Sequence, residues 1–152
     1  MPALLNHIDP NGLEEFSVVF TDRSLNHMSK EFQKVMCDLS SNLKEVYNAN
    51  AVVLVPGGGT FAMEAVARQF GIEANVMVIR NGWFSYRWSQ IFESSSNARS
   101  TTVLKARMIG NEPLAPFRPA EVDEVIKKIK ADKPDIVFAP HVETSAGVIL
   151  PD

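Results

Sequence analysis

The glycine run after Pro56 is the segment whose residue types point most directly to ligand chemistry. Gly57-Gly58-Gly59-Thr60 lies between an apolar run and a helical pattern. Glycines lack Cβ atoms, so backbone N–H groups can approach an anion, and a following helix adds partial positive charge. The segment favours phosphate binding, although a turn that needs glycine only for its geometry would look the same. It lacks the lysine of a P-loop and the third glycine of a dinucleotide fingerprint.

Two other loops offer polar or aromatic side chains. Residues 81–84, Asn-Gly-Trp-Phe, place two rings after a predicted strand. Rings there can stack on a planar ligand, but they can equally pack in a core or an interface. Residues 143–147, Glu-Thr-Ser-Ala-Gly, offer a carboxylate and two hydroxyls, or form a simple polar turn. Each loop alone leaves both interpretations open.

The elements that must position these loops alternate between helices and strands. In chain order, the sequence predicts a helix from Ser29 to about Tyr47, a buried strand over 51–55, a helix over 61–70 closed by Gly71, a strand over 75–79, a helix over 83–92, a strand over 101–108, a proline-rich connection over 113–119, a helix beginning at Pro119, a strand over 135–139 and a polar loop over 140–147. This alternation predicts an α/β fold with a mainly parallel sheet and flanking helices. Ligands bind such sheets beyond the carboxyl ends of the strands, where the three loops are expected.

The predicted domain organisation is an N-terminal arm or entry segment over residues 1–28 and one α/β domain over residues 29–152. The arm contains the Asp9-Pro10-Asn11-Gly12 turn signal and a β-prone run from Phe16 to Thr21. Neither would form a long element. The sequence ends at Asp152 after a strand and a loop, so the α/β domain is expected to be incomplete.

The composition argues against several classes of protein and site. A formal net charge of −3 with dispersed lysines argues against a nucleic-acid-binding surface. No apolar run reaches the roughly 20 residues of a membrane span, and no signal-peptide pattern begins the chain, so a cytoplasmic location is expected. The single cysteine, Cys37, excludes an intrachain disulfide and a cysteine-based metal site. Its position among helical apolar residues predicts a buried, inert thiol, and no metal site is expected.

Four ordered segments resemble the class V aminotransferases of fold type I, which include alanine–glyoxylate and phosphoserine aminotransferases. They are Asn-His-Met at 26–28, Pro-Gly-Gly-Gly-Thr-Phe-Ala-Met-Glu-Ala at 56–65, Asn-Gly with a later arginine at 81–87, and His-Val-Glu-Thr-Ser-Ala-Gly-Val at 141–148. Each segment is weak evidence alone, but their order and spacing are specific. The resemblance runs from about Phe20 to Pro151.

The resemblance implies a pyridoxal 5'-phosphate (PLP) site. The backbone of Gly58, Gly59 and Thr60 would hold the cofactor phosphate. Phe84 matches the position whose ring stacks on the pyridine face. Thr144 matches the residue that contacts the ring 3'-oxygen.

Supporting roles are implied for two neighbours, Trp83 beside the ring and Glu143 before the threonine. Arg87 and His27 match recurrent family positions without an assigned role. In this family the lysine that holds the cofactor as a Schiff base, and the aspartate on the ring nitrogen, would lie beyond Asp152. The chain alone is therefore expected to contain no catalytic residue and to be inactive, as one part of a truncated PLP-transferase domain.

The function implied for the parent protein is transfer of an amino group between an amino acid and a 2-oxo acid, by a homodimer. Lyases and desulfurases of the family share these loops. An alternative from a different class is a non-catalytic α/β domain that binds a phosphate ligand or a nucleotide through the glycine run.

Overall fold

The computed structural model describes residues 27–151. The chain divides into two compact units, and the first ends at Leu54 and the second begins at Val55. Most of the predicted arm, including the turn at 9–12 and the run at 16–21, lies outside the described residues. The arm and domain boundaries therefore stay predictions. No helix among residues 27–151 is both long and apolar enough to cross a membrane.

The described part of the first unit contains helix α1 (Lys30–Val46). It begins as predicted, because the Ser29 hydroxyl accepts a hydrogen bond from the Phe32 N–H at 3.1 Å. The prediction of a buried Cys37 was wrong, because the thiol is exposed. At about 100° per residue, Cys37 lies roughly 140° around the helix from Phe32, which places it off the apolar stripe and among polar positions.

The prediction of a buried strand over 51–55 was also wrong. These residues have no regular secondary structure, and the Val53 side chain is 82% exposed. An apolar, β-branched composition favours burial between layers, but a strand also needs a neighbouring strand to complete its hydrogen bonds. Composition alone cannot supply that neighbour.

The second unit is an α/β structure in which helices pack on a parallel sheet. Its elements are α2 (Gly59–Phe70), β1 (Asn75–Arg80), α3 (Trp83–Ser95), β2 (Ser100–Lys105), β3 (Arg107–Met108), β4 (Phe117–Arg118), α4 (Val122–Asp132), β5 (Ile136–Phe138), β6 (Val142–Glu143), a 3₁₀ turn (Thr144–Ala146) and β7 (Val148–Ile149). The sheet order is β2-β1-β5, and both pairings are parallel. The predicted fold class is confirmed.

Strand β1 forms the centre of the core. Val76 and Val78 are 1% and 0% exposed and pack with Ile91, Phe92 and Phe138. Alternate residues of a strand face opposite sides of a sheet. Even-numbered β1 residues therefore face α3, and this places Arg80, the last residue of the strand, on the same face.

Gly71 ends α2, as predicted, but for a reason of packing. Its φ of −94° is open to any residue. A Cβ at this position would lie 2.4 Å from Cε1 of Phe92. The glycine therefore allows the C-terminal ends of α2 and α3 to pack closely.

The remaining differences concern short elements. The single strand predicted over 101–108 divides after Lys105, and its last two residues pair antiparallel with β4 inside the predicted proline-rich connection. Helix α4 begins at Val122 rather than at Pro119. The polar loop over 140–147 contains β6 and the 3₁₀ turn, and β6 pairs with β7.

Candidate functional site

Two of the three candidate loops lie at the carboxyl edge of the sheet. The loop at 81–82 follows β1 and leads directly into α3, and the segment at 139–147 follows β5. Since β1 and β5 are parallel neighbours, their carboxyl ends meet at the same edge. The third candidate, the glycine run, begins α2 and does not follow a strand.

A buried carboxylate joins the first two loops. Glu143 is 1% exposed, and its side chain lies at the N-terminus of α3. Oε1 accepts hydrogen bonds from the Phe84 N–H at 2.9 Å and from the Ser145 hydroxyl at 2.7 Å. Oε2 accepts from the Ser85 N–H at 2.8 Å and from the Ser85 hydroxyl at 2.5 Å. The carboxylate thus occupies the positive end of the helix, where backbone N–H groups lack partners within the helix.

The hydrogen bonds keep Glu143 ionised. Burial by itself raises the pKa of the carboxyl group, because a charge is less stable away from water. The hydrogen bonds from Ser85, Ser145 and the backbone of Phe84 outweigh burial, and the pKa of Glu143 lies below its ordinary value. The group is therefore a fixed negative charge at neutral pH.

The two serines complete the connection. The Ser85 hydroxyl accepts from the N–H groups of Asn81 at 2.8 Å and Gly82 at 3.0 Å while it donates to Glu143. The Ser145 hydroxyl accepts from the Trp83 N–H at 2.8 Å. The N–H groups at the start of α3 are thereby satisfied by side chains from both loops.

Gly82 is required by this packing. A Cβ at this position would lie 2.6 Å from Cγ of Glu143 and 2.8 Å from the Ser145 hydroxyl. Its φ of 178° is extended backbone, so the glycine is needed for space alone. The short distance between the two loops therefore depends on the missing side chain.

The predicted ring-facing residues lie around this network. Trp83 and Phe84 are the first two residues of α3 and are 59% and 47% exposed. Thr144 begins the 3₁₀ turn directly after Glu143 and is exposed. All three side chains are accessible on elements that the buried carboxylate holds in place.

The glycine run forms the N-terminus of α2. Gly58 is the N-cap, and no acidic residue lies in the first turn of the helix. No side chain among residues 27–151 caps this helix end. A Cβ at Gly58 or Gly59 would meet no atom within 4 Å of the described structure. Gly57 differs, because its φ is 128° and a Cβ would lie 2.6 Å from the Phe61 ring. The part of the fold that the structure describes therefore requires glycine at 57 but not at 58 or 59.

The N-termini of α2 and α3 lie at the same end of the second unit. Thr60, near the start of α2, lines one cleft together with Tyr86 and Arg87 in the first half of α3. The C-terminal ends of the two helices also meet, at Gly71 and Phe92. The helices therefore run side by side in the same direction, which brings the glycine run near the ring-facing loop.

Of the residues without an assigned role, Arg87 lines this cleft. His27 is exposed and belongs to the first unit. Among residues 27–151 no group of three or more histidine, cysteine, aspartate and glutamate side chains is arranged to hold a metal ion.

Sequence reasoning missed the parts of Ser85 and Ser145 in the network. A serine at the third position of a helix is a recognisable signal, because its hydroxyl can reach back to the N–H groups that precede the helix. The partner 58 residues away carries no such local signal.

Comparison with known proteins supports a relationship to aminotransferases. No protein-family model matches the chain. Two curated proteins named "Uncharacterized aminotransferase", from Helicobacter pylori strains 26695 and J99, are 28% and 27% identical to it over 134 residues. The aligned region covers 88% of this chain and 33% of each relative. The chain thus spans about a third of the length of the curated relatives it matches.

Proposed function

We propose that this chain forms the phosphate-binding and ring-facing part of a PLP site in a class V aminotransferase of fold type I. The observation that carries the proposal is the open N-terminus of α2. Gly58 and Gly59 leave empty space where a side chain would stand, and no side chain caps the helix. A phosphate monoester matches both features, because it needs close backbone approach and unpaired N–H groups.

The residues present fit the cofactor. Gly58, Gly59 and Thr60 would bind its phosphate through backbone N–H groups, and the first turn of a helix leaves such groups without intrahelical partners. Phe84 would pack against the ring, with Trp83 beside it. PLP supplies an electron sink that stabilises negative charge at the substrate α-carbon.

Two residues of the 143–147 loop complete the proposed site. The Thr144 hydroxyl would donate a hydrogen bond to the ring oxygen. Glu143 acts at a distance from the ring, because its carboxylate is fully engaged at the start of α3 and fixes the positions of Phe84 and Thr144. Its role in the proposal is positioning.

The proposed reaction of the parent protein is transfer of an amino group between an amino acid and a 2-oxo acid. The name of the two relatives, aminotransferase, supports amino-group transfer over the lyase and desulfurase reactions of the family that the chain resembles. The covalent lysine and the ring aspartate are expected outside this chain, so the chain by itself should transfer no amino groups. The proposal includes a cytoplasmic location and a homodimer, and light scattering would test the homodimer.

Protection against thermal unfolding tests the cofactor assignment. Pyridoxine 5'-phosphate has the ring and phosphate of PLP but no aldehyde, so it cannot react with surface lysines. It should raise the melting temperature of the 152-residue chain, whereas pyridoxine should not. Gly58→Val places a branched side chain in the open space and should reduce the difference.

Three outcomes would count against the proposal. Equal protection by pyridoxine and its phosphate would exclude a phosphate cradle. Unchanged protection of Gly58→Val would place the phosphate elsewhere. Stronger protection by AMP than by pyridoxine 5'-phosphate would favour the alternative of a nucleotide-binding domain.

A further inference from the structure

A second cleft lies at the carboxyl edge of the sheet, apart from the glycine run. Its volume is about 480 Å³, and it lies between the ends of β1 and β2, the start of α3 and the hairpin of β3 and β4. The residues that matter for its chemistry are Arg80, Asn81, Trp83, Lys105, Phe117 and Ser145. Of the residues in the proposed cofactor site, Trp83 lines this cleft, whereas Gly58, Gly59, Thr60, Phe84 and Thr144 do not.

Two cations stand side by side in this cleft. Arg80 and Lys105 are register partners on adjacent parallel strands, so their side chains leave the same face of the sheet at the same edge. Neither takes part in an ion pair with any residue from 27 to 151. By contrast, nearby Arg107 pairs with Glu124. Two adjacent like charges without a counter-charge are unfavourable unless an anion joins them.

The existing contacts leave both cations available. Arg80 stacks on the Tyr86 ring, with its guanidinium carbon 5.3 Å from the ring centre, which orients the group without neutralising it. Lys105 is exposed. The carboxylate of Glu143, which bonds to the cleft residue Ser145, is already engaged by four hydrogen bonds.

The other walls of the cleft are aromatic and weakly polar. Trp83 and Phe117 are 59% and 63% exposed. Asn81 is 7% exposed, and its side-chain oxygen has no hydrogen-bond partner among the described residues. Exposed rings beside paired cations match a ligand with a flat apolar body and a strongly anionic group.

We propose that this cleft binds a small aromatic dianion, with Arg80 and Lys105 at its charged group and Trp83 and Phe117 against its ring. A phosphate monoester and a dicarboxylate provide the same two negative charges. Trp83 borders both this cleft and the proposed PLP site, but the two sites use different anion-binding groups, so each can be tested by itself.

Isothermal titration calorimetry of the 152-residue chain tests the proposal with phenyl phosphate and phthalate as dianions, and benzoate as a singly charged control. At least one dianion should bind with saturation and more tightly than benzoate. Lys105→Gln should weaken that binding about tenfold, the loss expected for one charge-assisted contact. Lys105→Arg should retain it. The relative affinities of phenyl phosphate and phthalate distinguish the two sources of charge.

The matched control is Lys127→Gln, which removes an exposed lysine of α4 that does not line the cleft. It should leave dianion binding unchanged. Absence of saturable binding, equal loss in Lys105→Gln and Lys127→Gln, or benzoate binding as tight as that of both dianions would overturn the proposal. The titrations are repeated in Gly58→Val, which removes the phosphate site proposed at the glycine run. Dianion binding that depends on Lys105 should persist in that variant, so failure of this inference and failure of the proposed cofactor site are separable.

Discussion

The N-termini of α2 and α3 share a glycine N-cap but differ in what occupies the positive end of the helix. Each helix has a glycine at its N-cap, and each directs its positive end to the same end of the second unit. At α3 the Glu143 carboxylate fills that position with an anion from the chain itself. At α2 no side chain of the described residues caps the helix, and none of their atoms lies within 4 Å of a Cβ placed on Gly58 or Gly59.

The difference separates structural from binding roles for glycine. Gly82 is needed because a Cβ at this position would overlap the side chains of Glu143 and Ser145. Neither the backbone angles nor packing against the described residues requires glycine at 58 or 59. A glycine that the fold does not need is a candidate for contact with a ligand. The N-terminus of α3 therefore stabilises the fold, and we infer that the N-terminus of α2 binds an external anion.

The largest expected effect comes from removing the internal anion. Glu143→Gln keeps the shape of the side chain but turns one hydrogen-bond acceptor into a donor that faces other donors. We expect a loss of about 2–3 kcal/mol in the free energy of unfolding, because buried donors lose a charged partner. Urea unfolding monitored by circular dichroism measures it. Glu112→Gln, at an exposed carboxylate, should change stability by less than about 0.5 kcal/mol.

If both variants were equally stable, the Glu143 network would not hold the two loops together. The N-terminus of α3 would then have no demonstrated role in stabilising the fold.

Two glycine substitutions, one at the start of each helix, should have effects of intermediate size on the free energy of unfolding. Gly82→Ala should cost about 1–3 kcal/mol, because its Cβ would overlap Glu143 and Ser145. Gly59→Ala should be neutral or stabilise by up to about 1 kcal/mol, because alanine favours the helix and meets no neighbouring atom. The same urea titration measures both variants. Similar losses in both would mean that the two glycines have the same structural role.

The smallest expected effect is in the pH dependence of stability. The pKa of Glu143 is lowered in the folded state, so the unfolded state binds its proton more readily. The stability due to ionised Glu143 is present above its unfolded pKa, near 4.3. It is lost as pH falls through the lower folded value. The difference in unfolding free energy between wild type and Glu143→Gln should therefore shrink as the solution is acidified below about pH 4.

A pH-independent difference would contradict this assignment. It would mean that the charge of Glu143 does not contribute to the stability of the connection between the loops.

The elements with strong local signals were predictable from the sequence. The strand at 75–79, the helices at 61–70 and 83–92, and the Ser29 cap are confirmed within one to three residues at each end. Their apolar periodicity and capping residues lie within or next to each element, so the sequence alone predicts these elements. The apolar run at 51–55 failed because a strand depends on a partner that composition does not specify.

The candidate site was predictable in part for the same reason. Loop positions at the carboxyl edge follow from strand order once the sheet is parallel, which located residues 81–84 and 143–147. The Glu143 network could not be derived, because Ser85 and Glu143 are 58 residues apart and meet only after folding. The cofactor-binding roles of Gly58, Gly59, Thr60, Phe84 and Thr144 stay predictions.

Backbone amide chemical shifts can show which of the two helix ends accepts an external phosphate. Amide chemical shifts of the ¹⁵N-labelled chain are followed while pyridoxine 5'-phosphate or pyridoxine is added. Gly58→Asp serves as the matched variant, because it places a carboxylate at the start of α2, as Glu143 does at α3. In the wild type, the phosphate ester but not pyridoxine should shift the Gly58, Gly59 and Thr60 amides, and Gly58→Asp should abolish that response. Shifts confined to the Arg80–Lys105 cleft or to the start of α3, or an undiminished response in Gly58→Asp, would contradict the account.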